Sequence, residues 1–225
     1  MEKDTIQTKR PTLLGMIFSP GEQFERVKER PVIWLPLIIL TVLTTLVALY
    51  VTVNLDFTAI SGMEMTPEQE QMVKVSGVVS AILGGLVGTP ISYLIFAAIF
   101  LGISKLAKSE VSFKQMFSLI IHVSFISLIG QVLNQVIIVA IGANPSIMIT
   151  SLQSIIAAEG ALGRILSVIE VFSIWYYILM ALGLMKVANL SKLQACIIVG
   201  IFFIIGLIIA AVTPPIAPID GGGQF

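Results

Sequence analysis

The chain of 225 residues sets one carboxylate, Glu170, deep inside its long apolar stretches. An ionisable group at membrane depth is a candidate for proton or ion handling. Such a group needs polar company at its own depth. Gln131, Asn134 and Gln135 supply it, because spacings of three and four place them on one helix face. At 1.5 Å per residue, Glu170 lies ~9 Å in from one surface and Asn134 ~10 Å in from the same surface. The spacing therefore predicts a polar cluster of Glu170, Gln131 and Asn134. Two readings stay open: a clasp between helices, or the lining of a polar path.

The other reactive side chains stand apart. His122 is the one histidine, ~10 Å from the opposite surface, too far away to pair with Glu170. It reads as a neutral hydrogen-bonding residue. Cys196 has no second cysteine, so neither a redox pair nor a thiolate metal site can form. No Ser-His-Asp set, HExxH motif or facing acidic pair is present. The glycines of SAILGGLVGTP lack the GxxxxGK[ST] pattern of a phosphate loop. No enzyme activity, metal or cofactor is expected. Ser80, Gly84 and Gly88 fall four apart, as do Gly77, Ala81 and Gly85, a spacing that lets helix backbones approach closely. Pro90 should kink that helix and free a carbonyl. The Ser80, Gly84, Gly88 and Pro90 face is thus a candidate for packing within the chain or against a partner or second copy.

The elements that position these residues follow from composition. The chain is 56% apolar and 12% charged, against about 25% charged in soluble domains. Mean hydropathy is +1.00. Thirteen basic residues balance thirteen acidic ones, which excludes a basic nucleic-acid binder. About 20 apolar residues span a bilayer as a helix. Five stretches qualify, at roughly 32–53, 78–103, 116–141, 165–185 and 195–213. The expected class is an all-α, polytopic membrane bundle. No cleavable signal segment is expected ahead of the first span. Eleven of thirteen Lys and Arg residues fall in alternate loops on the N-terminal side. By the positive-inside rule the N-terminus is cytoplasmic and the C-terminus is outside, in a cell membrane. The basic face should favour anionic lipid.

Residues 1–11 read as a mobile N-terminus, and 214–225 as an extended tail. In 12–31, Ser19, Pro20 and Glu22 form a capping-box pattern opening a short amphipathic helix. Phe24, Arg26, Lys28 and Arg30 would be its cytoplasmic docking residues. Three further boxes open helices at Thr66–Gln69, Ser112–Gln115 and Ser191–Gln194. The last two follow an internal repeat: LGISKLA from Leu101 and LGLMKVA from Leu182, 81 residues on. Spans two and three should pair like spans four and five, as parallel hairpins, with span one added. Residues 142–164 read as an interfacial helix begun by Asn144-Pro145 and ended by Gly160, or as a re-entrant segment.

The stretch LLGMIFSPGEQFERVKERPVIWLPLII, together with five spans and LG-x-x-K hairpins, resembles the Yip family of Ypt/Rab-interacting membrane proteins, in its bacterial branch. The likeness covers 12–213. It implies architecture and a non-enzymatic partner role rather than catalytic residues. Eukaryotic relatives bind small GTPases in membrane traffic, and bacterial relatives look like accessories of ABC-type exporters. The expected function is an accessory protein that binds such an exporter. The alternative is a transporter or channel component with a path around Glu170, Gln131 and Asn134.

Overall fold

A computed structural model describes residues 9–54, 65–141 and 148–213. The outermost N-terminal residues, Asn144-Pro145 and the 214–225 tail lie outside the described residues. Among the described residues ten α-helices follow in chain order. Two are short, α1 (Gly15–Phe18) and α2 (Pro20–Glu29). The first apolar helix is α3 (Trp34–Asn54). Next, α4 (Pro67–Leu83) runs through a π turn (Gly84–Gly88) into α5 (Thr89–Leu106). Then come α6 (Phe113–Ile141), α7 (Leu152–Ile156), α8 (Gly160–Val168), α9 (Val171–Val187) and α10 (Lys192–Val212).

Among the described residues four helical runs are long and apolar enough to cross a membrane: α3, α4 through α5, α6 and α10. The fifth, α9, is apolar but only 17 residues long. The reason is a break that the sequence did not announce. The expected span from 165 is two helices, α8 and α9, separated at Ile169 and Glu170.

The core forms around α6. In its most apolar window 67% of residues are buried, against 11–22% in the other three runs. It packs on α5 to one side, α9 to the other and α3 across a third face. The remaining helices turn most of their large apolar residues outward. That pattern suits hydrocarbon, in which backbone groups must be satisfied within the helix while apolar side chains may face lipid.

The repeat is visible at one end of the bundle. Helices α5 and α9 stop at the matching alanines, Ala107 and Ala188. Each is followed by a left-handed residue, Lys108 at φ 62° and Asn189 at φ 52°. Capping boxes then open α6 and α10: Ser112 N donates to Gln115 Oε1 (2.8 Å) and Gln115 N to Ser112 Oγ (3.3 Å), with the same exchange between Ser191 and Gln194. Helix α5 pairs with α6, and α9 pairs with α10. The two turns touch, as Ser109 Oγ donates to the Ala188 carbonyl at 2.5 Å.

Two expectations need correction here. Ser19 makes no side-chain cap. The buried Gln23 takes its place in the network: Gln23 Nε2 donates to Ser19 Oγ at 3.4 Å and Gln23 Oε1 accepts from Thr12 N at 2.9 Å. Glu22 is drawn to Arg26 instead. The 142–164 segment is not one interfacial helix. Among its described residues, Leu152–Ile156 is helical, and Gly160, at φ 61°, begins the separate helix Gly160–Val168 rather than ending the first.

Candidate functional site: a polar clasp and two helix faces

Asn134 lies on the buried side of α6 and is 1% exposed. Its Nδ2 donates to the Gly130 carbonyl, one turn back, and to Thr150 Oγ1, both at 2.9 Å. Its Oδ1 accepts from Thr150 N at 3.1 Å. The Thr150 hydroxyl in turn donates to Glu170 Oε1. Glu170 Oε2 accepts from Ser173 N at 2.7 Å, so the carboxylate caps α9. The backbone closes the circuit. Leu152 N donates to Ile169 O at 3.0 Å and Val171 N to Thr150 O at 3.3 Å, while Ser151 and Glu170 form an antiparallel bridge.

This arrangement has a physical cause. Asn134 stands seven residues, about 10 Å, before the end of α6. Non-helical backbone at that depth must find partners inside the protein. Asn134 supplies one to Thr150, and the Ile169–Val171 break supplies the others. The segment around Thr150 is therefore held against α6 and against the break between α8 and α9. Thr150 is the member that residue spacing missed. Its signal was only a hydroxyl residue within an apolar loop.

The other expected partners lie elsewhere. Gln131 faces a groove of about 360 Å³ between α3 and α6 that Asn134 and Gln135 also line. It makes no hydrogen bond to Glu170. Arg164 points to the far end of α10, donating to the carbonyls of Ala210 at 3.0 Å and Ala211 at 2.8 Å. It thus satisfies orphan carbonyls at a helix C-terminus. His122 is fully buried, twelve residues from Asn134 on the same helix, about 18 Å away. Its Nδ1 donates to the Ser118 carbonyl at 2.7 Å. Among the described residues no three His, Cys, Asp or Glu side chains lie together as a metal set.

On the α4–α5 run, the two small-residue stripes part company. Gly85 is buried against α3, where a Cβ would come within 2.2 Å of Thr45 Oγ1 and 2.7 Å of Thr45 Cα. Gly84 and Gly88 face outward: a Cβ at Gly84 meets nothing within 4 Å, and at Gly88 only a carbonyl of its own helix at 4.0 Å. Ser80 is exposed as well. The π turn sits just ahead of Pro90, and Thr89 N donates five residues back to Gly84 O. Pro90 has no N–H and crowds the carbonyl four residues before it, which favours the wider turn.

The α2 helix is turned inward. Phe24 is fully buried and reaches the position of Gly183 in the second repeat, where a Cβ would meet Phe24 Cε1 at 3.2 Å and Leu119 Cδ1 at 2.4 Å. Gly102, its counterpart in the first repeat, is open. Phe24 is thus a core residue rather than a docking residue. Arg26 pairs with Glu22 along α2. Lys28 Nζ donates to Asn189 Oδ1 at 2.7 Å, and Lys186 Nζ to Glu25 Oε1 at 2.9 Å. Of the four expected docking residues, Phe24, Arg26 and Lys28 are engaged inside the chain. Arg30 lies at a groove on the surface.

The model of the Yip1 domain matches residues 14–213, the whole extent from α1 to the end of α10. The chain belongs to the Yip1 family. Membrane protein YknW of Bacillus subtilis (strain 168) is similar to it, 34% identical over 212 residues that cover 89% of this chain and 90% of that protein. No solved structure matches. The Yip1 domain here is therefore an all-helical membrane bundle whose repeat turns, α2 latch and buried clasp are all internal contacts.

Proposed function

We propose that this Yip1-domain chain is a non-enzymatic accessory protein that binds and assists another membrane complex. The observation that carries the reading is the outward stripe of Ser80, Gly84 and Gly88. Glycine in a helix costs about 0.5–1 kcal/mol relative to alanine. Gly85 offsets that cost by close packing on Thr45. Gly84 and Gly88 have no such return among the described residues. A partner helix approaching that face would supply it, as small residues do between membrane helices. An ABC-type exporter is the partner class that the family resemblance carries, with the N-terminal side of the bundle cytoplasmic.

Gentle solubilisation and identification of co-purifying chains tests this. A stoichiometric exporter subunit is expected, and Gly84→Leu with Gly88→Leu should release it. A second copy of the chain on that face would replace the exporter reading with self-association.

The transporter reading draws on the groove of about 360 Å³ that Gln131, Asn134 and Gln135 line. Against it, both Glu170 oxygens are already occupied, by Thr150 and Ser173. Reconstituted flux abolished by Glu170→Gln in a folded protein would favour transport over the accessory role.

A further inference from the structure

A groove of about 550 Å³ opens where the chain leaves α2, enters α3 and passes the start of α6. Arg10, Arg30 and Lys114 line it, opposed by one carboxylate, Glu29. Arg10 and Lys114 are exposed and make no ion pair among the described residues. The segment 31–35 forms its floor, which includes the first turn of α3. Neither Val32 nor Ile33 has a side-chain acceptor, so no side chain there can cap that turn. The N–H groups of Trp34 and Leu35 precede the first helical bond, Leu37 N to Ile33 O at 2.9 Å. The positive end of α3 thus adds to Arg10 and Lys114.

Below the groove the surface changes character. Trp34 is 75% exposed, Leu35 66% and Ile38 57%, forming an apolar strip down the outside of α3. A small soluble anion would satisfy the cations and gain nothing from this strip. A zwitterionic head would bring a cation of its own into a net positive site. We propose that the groove holds the phosphate head of an anionic phospholipid, with its acyl chains along Leu35 and Ile38. This goes beyond the accessory role, for it concerns a different face and a lipid rather than a protein.

Native mass spectrometry of the full chain, with phosphatidylglycerol and phosphatidylcholine of matched acyl chains as probes, reads the site directly. The expected result is retention of phosphatidylglycerol over phosphatidylcholine. Arg10→Gln and Lys114→Gln should each weaken it about fivefold, the effect of one cation near an anionic surface. Both side chains are exposed, and circular dichroism checks that the variants stay helical. Lys105→Gln with Lys192→Gln removes two exposed cations from the same end but outside the groove, and should leave the preference intact. Equal loss in the two pairs of variants would reduce the effect to diffuse attraction and overturn the site. So would wild-type protein that shows no headgroup preference. Displacement of the lipid by millimolar glycerol phosphate would overturn the lipid assignment in favour of a small anion.

Discussion

Asn134 and Thr150 exchange hydrogen bonds in both directions: Asn134 Nδ2 donates to Thr150 Oγ1 at 2.9 Å, and Thr150 N donates to Asn134 Oδ1 at 3.1 Å. One side chain on α6 thus satisfies both the backbone and the hydroxyl of a residue in a non-helical segment. Asn134→Leu keeps the branched outline of the side chain and removes both bonds. It should cost about 1–3 kcal/mol, the penalty for leaving buried polar groups without partners. Thermal unfolding in detergent measures this. Limited proteolysis should also show new cleavage near Thr150. A variant as stable and as resistant as the parent would show that the clasp contributes little.

Gly85 and Gly84 are neighbours with opposite surroundings. A Cβ at Gly85 would press on the Thr45 backbone at 2.7 Å, which cannot move aside as a flexible side chain can. Gly85→Ala should therefore destabilise by about 1–3 kcal/mol through overpacking. Gly84→Ala meets nothing within 4 Å and should stabilise the isolated chain by about 0.5–1 kcal/mol through helix propensity. If the two variants shift the melting temperature in the same direction, the assignment of inner and outer stripes is wrong.

The orientation read from loop charges can be checked on a Cys196→Ser background. Glu68 begins the α4–α5 run and Lys108 follows its end, so a helix of 40 residues separates them. Cysteines at the two positions should be labelled by a membrane-impermeant maleimide from opposite sides, with Lys108→Cys reached only from the cytoplasm. Labelling of both from one side would reject the crossing.

What could be read from residue order depended on how local the cause was. The caps at Thr66, Ser112 and Ser191 involve partners three residues away, and all three form their reciprocal bonds. The Ser19 pattern is equally good, yet Gln23 takes the hydroxyl because Thr12, eleven residues upstream, holds that glutamine in place. Asn134 and Glu170 were legible as partners by depth, but the bond between them runs through Thr150, in a loop whose path no periodicity describes. Helix spacing gave two small stripes on span two. Only Thr45, from another helix, decides that Gly85 is the inner one.

The two repeat turns make a last comparison possible. Lys108 and Asn189 are 81 positions apart and both left-handed, at φ 62° and 52°. That conformation costs an ordinary L-residue about 1–2 kcal/mol, which Gly avoids and Asn partly offsets. Lys108 is exposed and its side chain has no hydrogen bond among the described residues, while its N–H donates to the Lys105 carbonyl at 2.9 Å, a bond that glycine keeps, so Lys108→Gly should raise stability by about 0.5–1 kcal/mol. Asn189 is different, because its Oδ1 accepts from Lys28 Nζ at 2.7 Å and so holds the end of α2 against the second turn. Asn189→Gly relieves the same strain but releases Lys28, and its net effect should be close to zero. Lys28→Met should then cost stability in the parent and little in Asn189→Gly. A double-mutant cycle measured by thermal unfolding reads this coupling. Independent effects would mean that the Lys28 contact does not hold α2 in place, leaving that task to Phe24 over Gly183 and to the Lys186–Glu25 pair.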